Sequence, residues 1–376
     1  MTRTTTVAVQ TPSYDVQLLF AVLFLVGIGI VMVYSASSAL ALKKYGSDFY
    51  FLKKQALFSL FGIMALVTCR HIPFRCYRVM TYPLLALALG LLVAVHVSDL
   101  GLEAGGSLRW LRLGPLTFQP VEVARLALIV FMAYSLNKKQ AVLGKFTLGF
   151  VPHVIVLAIF AAPLLMQPDF GSVVIFGALV WIMMFMGGVP VRHLLSALIP
   201  MLPLAYFLMV SEAYRIKRLI SFLDPWQYPA GEGYQIIHSL MAFGTGGLWG
   251  TGIGKGYQKL FYLPEPHTDF IFAVIGEELG FWGVLFILAL YGVILWRGIR
   301  IACSCNDNFG MLVAAGISTA IGLQVSINMG VSLGLLPTKG LTLPFLSYGG
   351  TSLLLNMACV GILMNIGAGN AKQSHS

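Results

Sequence analysis

The sequence predicts an all-α integral membrane protein that crosses the bilayer about ten times. Three observations carry this expectation. Charged residues make up 10% of the 376-residue chain and apolar residues 58%, whereas soluble domains carry about 25% charged residues. So few charges could not cover the surface of a water-soluble protein of this length. Several stretches also approach the roughly 20 apolar residues that a helix needs to span a bilayer.

The chain reads as a single polytopic domain over residues 1–376. The first apolar run, Val16–Tyr34, follows a weakly basic N-terminus, and Ala39-Leu40-Ala41 resembles a cleavage site. The run exceeds the roughly 7–15 residues of a signal-peptide core, so it is read as a retained span. Spans two and three are expected at Gln55–Thr68 and Val79–Val97. A segment at about 99–120 follows, where Gly105-Gly106-Ser107-Leu108-Arg109-Trp110 forms a Gly-broken amphipathic stretch suited to a membrane interface. Spans four to seven are expected at Val121–Leu136, Phe146–Leu165, Ser172–Met186 and Leu194–Val210. The large segment at about 211–268 carries aromatic and glycine motifs, and loops this long are usually functional or disordered. Phe270–Trp296, Met311–Val331 and Ser352–Ile366 complete the count. An even number of spans puts both termini on one side.

Lys and Arg set that side. With the N-terminus cytoplasmic, eleven fall inside, twelve outside, and Arg125 within a span. Setting aside the five in the long 211–268 segment leaves eleven against seven, which favours cytoplasmic N- and C-termini. The carboxylates are more one-sided. Asp15 and Asp307 fall inside, and the other twelve lie outside or in the outer half of a span. Acidic residues contribute little to topology, so the bias points to a polar cleft on the outer face.

Several function classes drop out. The net charge of +10 comes without a basic run interleaved with aromatics, so nucleic acid is not an expected partner; anionic lipid headgroups are. Five cysteines give no disulfide framework, and Cys303-x-Cys305 lacks the second pair of a zinc site. Gly250–Gly256 fails as a phosphate loop, because Trp249 stands where the first Gly is needed and Gly256 where Ser or Thr is needed. No nucleotide cofactor is expected, and the run reads as a flexible outer loop. His96, His153 and His238 lack partners at metal spacing and read as hydrogen-bonded or interfacial. Trp110, Trp226 and Trp249 suit an aromatic belt as well as sugar stacking.

Charge in or beside an apolar span is functional by default, usually with a partner. Glu122 and Arg125 stand at i,i+3 and can pair on one helix face; they read either as a structural salt bridge or as substrate-lining groups. Asp269 lies at the start of the eighth span, where a helix N-cap is the plain alternative to a cleft residue. Glu277 is about 12 Å further along the helix and only a fraction of a turn away. It either faces the same cleft or bonds another helix, with Glu278 pointing elsewhere.

Gln119-Pro120-Val121-Glu122, Gln167-Pro168-Asp169-Phe170-Gly171, Leu263–Phe270, Gly276–Gly280 and Pro337–Gly350 together resemble the SEDS family (FtsW, RodA, SpoVE). Pro337–Pro344 is closer to the division-type FtsW pattern than to the elongation-type pattern. The resemblance implies a ten-span peptidoglycan glycosyltransferase of the bacterial cytoplasmic (inner) membrane with its site facing the periplasm. It also implies lipid II as substrate, and as partners a class B penicillin-binding transpeptidase (FtsI-like) and other divisome membrane proteins. Asp269 matches the family's essential acid. Glu122–Arg125 matches its intramembrane ion pair, with Arg where Lys is usual. Lys54 and Arg109 match cationic positions of the outer cavity. Phe261 stands where some division-type members carry Glu, which leaves a second loop carboxylate in doubt.

The implied reaction sets the expected roles. A sugar hydroxyl needs a base in reach, and the departing diphosphate needs cations. Asp269 is expected to be that base, or else to hold a divalent cation, Mg or Mn. Lys54, Arg109 and Arg125 are expected to hold phosphate, with Glu122 beside them and Lys339 as a further candidate. A lipid II flippase, an elongation-type polymerase and a non-catalytic scaffold are the rival readings.

Overall fold

The computed structural model describes residues 15–104, 107–114, 116–231, 233–260 and 262–373. Arg3, Gly105, Gly106, Glu232 and Phe261 lie outside the described residues.

The chain opens with α1 (Val16–Tyr45), α2 (Tyr50–His71), the short α3 (Phe74–Val79) and α4 (Thr81–Val97). After a small sheet come α5 (Pro120–Lys138), α6 (Val151–Met166), α7 (Phe170–Met186) and α8 (Val191–Val210). The long segment then forms α9 (Ala213–Leu223) and α10 (Tyr234–Gly246), before α11 (Ile271–Ser304), α12 (Asn308–Ser332) and α13 (Gly350–Gln373). Among the described residues, eight helices of at least 18 residues are apolar enough to cross a membrane, α6 being counted together with the π-helical turn Phe146–Phe150 that leads into it, and α4 and α7 add two apolar helices of 17 residues. That matches the expected spans one for one.

Burial ranks these helices. The most apolar window of α5 is 83% buried and that of α8 only 6%, so α5 sits at the centre and α8 at the lipid-facing rim. α5 packs on α4, α7 and α12, while α13 lies along α2. Gly62 and Gly361 permit that close approach, since a methyl on Gly361 would lie 2.4 Å from the Leu66 carbonyl oxygen. At the end of the bundle opposite Asp269, Asp15 caps α1 through the Leu18 N–H at 3.1 Å and pairs with Arg297 of α11 at 2.7 Å.

The 99–120 segment departs from the expected amphipathic stretch. It forms a three-stranded antiparallel sheet of β1 (Gly101–Ala104), β2 (Ser107–Leu113) and β3 (Leu116–Phe118), in that order. Gly101 pairs with Leu111, and Leu111 with Phe118. The reason lies in the turn signals Gly105-Gly106 and Gly114-Pro115 that bound Ser-Leu-Arg-Trp-Leu-Arg-Leu, a strand-length stretch whose polar and apolar residues alternate with one slip, at Trp110-Leu111.

The glycine run also departs from expectation, because it is not a free loop. α11 is broken at Gly280, whose φ of 66° and ψ of −165° are non-helical. The run fills the break. Thr251 and Gly252 N–H groups donate to the Glu277 and Glu278 carbonyls at 2.9 and 3.0 Å, and Phe281 N–H donates to the Gly247 carbonyl at 2.9 Å. A side chain at Gly250 is impossible here: its first carbon would lie 2.2 Å from the Glu278 carbonyl oxygen. Every peptide group inside a bilayer needs a partner, and here the loop supplies the ones the broken helix lacks.

Candidate active site

Asp269 is delivered by two loops stitched to each other. Upstream, the Glu265 carbonyl accepts from the Thr268 and Phe270 N–H groups at 3.2 and 3.4 Å, folding the chain tightly ahead of α11. Downstream, Ser347 Oγ donates to the Thr268 carbonyl at 2.6 Å, and Tyr348 N–H donates to the His267 carbonyl at 2.9 Å. Asn328 of α12 reaches both loops, its amide donating to the Asp269 carbonyl at 2.9 Å and to the Leu341 carbonyl at 2.5 Å. The N-cap of α11 is Phe270, without a side-chain cap. The N-cap reading of Asp269 is thereby excluded, and its half-buried carboxylate is left for other work.

The backbone of Gly340 leans on that carboxylate, since a methyl at Gly340 would lie 3.0 Å from Asp269 Oδ2. The neighbouring Lys339 side chain runs the other way, towards the start of α7. Its ammonium lies 3.3 Å from Ser172 Oγ and 4.0 Å from Asp169 Oδ1. Asp169 caps α7, accepting from the Ser172 N–H at 3.2 Å and from the Ser172 hydroxyl at 2.6 Å. Arg109 comes in from β2 and donates to the Pro168 carbonyl at 3.1 Å. The sheet thus delivers a guanidinium to the same corner.

Electrostatics bind the four groups. Burial, then the Glu265 charge, raise the Asp269 carboxyl to about 7, against the opposing pull of Arg109 and Lys339. Burial lowers the Lys339 ammonium to about 8, although Asp169, Glu122 and Asp269 favour its charge. Burial pushes Asp169 up as well, but Lys339, Arg109 and the Ser172 hydrogen bonds outweigh it and hold its carboxyl below the usual range.

Glu122 and Arg125 form a buried pair at 2.5 Å. Both arms of the guanidinium reach further, Nη1 to Gln324 Oε1 on α12 and Nη2 to Asn356 Oδ1 on α13 at 3.1 Å. The pair therefore knots three helices, one step behind Lys339, which feels the Glu122 charge. Lys54 stands apart from Asp169 and Asp269. Its ammonium donates to the Tyr50 hydroxyl at 2.7 Å and lies 4.5 Å from that ring's centre. It reaches the site only indirectly, through Phe51, whose ring meets His267 at a tilt with centroids 4.5 Å apart, and through Gln55, which donates to the Ser347 carbonyl at 3.4 Å.

Glu277 does not share the Asp269 cleft. It is fully buried and accepts from the Tyr257 and Gln258 N–H groups at 2.7 and 3.2 Å. Glu278 pairs with Lys259 at 2.5 Å and accepts from Ser35 Oγ at 2.8 Å. An apolar groove of about 660 Å³ runs along α1 from Val16 to Met32, bounded by Ile253 and Leu279. None of the charged residues of the site lines it.

The Cell cycle protein family model, FtsW/RodA/SpoVE, matches residues 16–372. The chain belongs to this family. FtsW/RodA/SpoVE relatives span nearly its whole length. A probable peptidoglycan glycosyltransferase FtsW of Geobacter metallireducens is 45% identical over 353 residues, 94% of each chain. Stage V sporulation protein E of Bacillus subtilis is 43% identical over 357 residues, 94% of this chain and 97% of that one. Among solved structures, one described as a peptidoglycan synthase complex coordinating polymerization and crosslinking superposes with a TM-score of 0.79, at 31% identity over 95% of this chain and 98% of that one. The rod shape determining protein RodA of Thermus thermophilus gives 0.70 at 30% identity, covering 94% and 97%. The chain is accordingly a multi-pass membrane glycosyltransferase of the FtsW/RodA/SpoVE family.

Of the residues singled out from sequence, the fold brings Asp269, Lys339 and Arg109 together, with Glu122 and Arg125 behind them and Lys54 to one side. Asp169, Ser172, Gly340 and Asn328 were not singled out. Asp169 lay within a quoted motif; its side-chain role follows from the contact with Lys339, which sequence spacing does not reveal.

Proposed function

We propose that this glycosyltransferase polymerises lipid II at the periplasmic face of the inner membrane, with Asp269 as general base. A sugar 4-hydroxyl attacks the anomeric carbon of the second lipid-linked unit. The bond from that carbon to the diphosphate oxygen breaks, and undecaprenyl diphosphate leaves with the electron pair. The proton lost by the hydroxyl passes to Asp269. A carboxyl titrating near 7 is matched to that task at neutral pH. Arg109 and Lys339 stand on the same side and are suited to the charge growing on the diphosphate. The single observation that carries the reading is this meeting of one uncapped carboxylate with two cations at the rim of an apolar bundle.

Holding a divalent cation is the alternative role for Asp269: magnesium usually takes one or two carboxylates and completes its shell with substrate phosphates and water, and Glu265 is a second carboxylate close enough to raise Asp269. Among the described residues no three His, Cys, Asp or Glu groups converge, and the carboxylate's cationic neighbours are Arg109 and Lys339. As partner we propose a class B penicillin-binding transpeptidase within a set of division membrane proteins, supported by the likeness to a solved peptidoglycan synthase complex.

The test is glycan-chain formation by the purified protein in detergent, with lipid II supplied and the transpeptidase present or absent. Asp269→Asn keeps the shape and removes the base. Chains formed by that variant at the wild-type rate would sink the assignment. Detergent also removes any meaning from flipping, so chain formation there separates a polymerase from a flippase.

A further inference from the structure

The Lys339 side chain lies directly on the backbone of Gly171. A methyl on Gly171 would meet Lys339 Cδ at 2.4 Å, Cε at 2.5 Å and Nζ at 2.9 Å. Past that glycine the ammonium meets Ser172 Oγ at 3.3 Å and Asp169 Oδ1 at 4.0 Å. Asp169 cannot swing away to close on it, because its two oxygens are committed to the Ser172 N–H and hydroxyl. Arg109 further fixes the preceding peptide through the Pro168 carbonyl.

We propose that Asp169, Gly171 and Ser172 form a cradle that positions Lys339 for the leaving diphosphate, with Asp169 acting on the reaction only through that lysine. An ammonium has three N–H donors. One is directed at Ser172, and the carboxylate stands at the outer limit of an ion pair, so the charge is steered without being consumed. A tight ion pair would have made the lysine a poor phosphate ligand. The dipeptide Lys339-Gly340 thereby spans both acids: its side chain reaches the cradle while its glycine backbone rests on Asp269. A larger residue at Gly171 displaces the flexible end of the Lys339 side chain from this position without touching backbone. The proposal rests on the site reading above.

Gly171→Ala is the sharpest test, because it adds one methyl, removes no polar group and leaves the Asp169 cap in place. Lipid II turnover and equilibrium binding of inorganic diphosphate are measured for wild type, Gly171→Ala, Asp169→Asn, Lys339→Ala and the doubles with Lys339→Ala. The expected result is a loss of kcat/KM for lipid II on the order of 10–100-fold in Gly171→Ala. Diphosphate binding should weaken in each single variant, and neither double should be weaker than Lys339→Ala alone beyond about 2-fold. Unfolding midpoints check that Gly171→Ala remains folded. The cradle is refuted if Gly171→Ala binds diphosphate like wild type, or if its loss persists undiminished when Lys339 is already gone. The binding arm does not depend on turnover, so it stands even if Asp269→Asn were to overturn the assignment of the base.

Discussion

Lys259 and Glu278 form an ion pair at 2.5 Å with almost no exposure, and Ser35 of α1 shares it, accepting from the lysine at 2.9 Å and donating to the carboxylate at 2.8 Å. The pair joins the long loop to the break in α11 and both to α1. Breaking a buried pair from one side leaves an uncompensated charge and costs about 3–5 kcal/mol. Lys259→Met should therefore lower the unfolding midpoint in detergent sharply, while Lys259→Met combined with Glu278→Leu should recover much of the loss. Equal midpoints for the single and double variants would show that the carboxylate left unpaired is not what the loss of Lys259 costs, and a double whose loss is the sum of both singles would show that the pair contributes no coupling.

Activity should depend on pH through two groups of opposite kind. The Asp269 carboxyl is raised to about 7, so the base form is lost as pH falls below that value. The Lys339 ammonium is lowered to about 8, so the cation is lost as pH rises above it. A kcat/KM profile should be bell-shaped, falling about ten-fold per unit on the acid side. Because the two groups interact, the limbs belong to the pair. Asp269→Asn should lose at least about 100-fold in rate and, with its residual activity, the acid limb. Retention of that limb would assign it to another group.

Arg125→Lys tests why an arginine occupies this ion-pair position. A lysine can keep Glu122 but cannot fork to both Gln324 and Asn356. Losing one hydrogen bond to a charged group costs about 1.5–3 kcal/mol. The variant should be less stable by that order, measured by denaturant unfolding in mixed micelles, with polymerisation reduced far less than in Asp269→Asn. A collapse of activity at full stability would instead move Arg125 into direct contact with substrate.

Gly280→Ala places a methyl 2.3 Å from the Gly250 nitrogen at a positive φ. Both faults act on the same break, so loop and helix should loosen together. Hydrogen exchange should rise at Thr251, Gly252, Phe281 and Trp282 in parallel. Faster exchange confined to one side would show that the loop and the helix are independent.

Hydropathy made the ten spans legible, because the bilayer imposes one length on all of them. Their ends were less so. α1 runs on to Tyr45 and α11 to Ser304, since helix continues past the hydrocarbon wherever the backbone still pairs with itself. The sheet was legible in principle in the Gly-Gly and Gly-Pro turn signals on either side of Ser107–Leu113, but interfacial amphipathic helices share its mixture of apolar and basic residues. The break in α11 was not legible. A single glycine in an apolar run looks ordinary, and the partners that fill the gap lie about thirty residues upstream. For the same reason Lys259 read as one more loop cation, and Glu277 as either a cleft acid or a partner of another helix, when both are buried anchors of the loop against α11. The site itself was visible only through motif resemblance, since nothing in local spacing joins Asp269 to Lys339 or Arg109.

The filled break carries an architectural consequence. Lifting the strand of chain between Gly247 and Gly252 would strip peptide groups of Glu277, Glu278 and Phe281 bare within hydrocarbon. The polypeptide cannot be divided there into a membrane portion and a soluble one. A tag, a graft or a protease cut placed in that stretch would undo a transmembrane helix some thirty positions away, whereas the same insertion near Tyr228 would leave it whole.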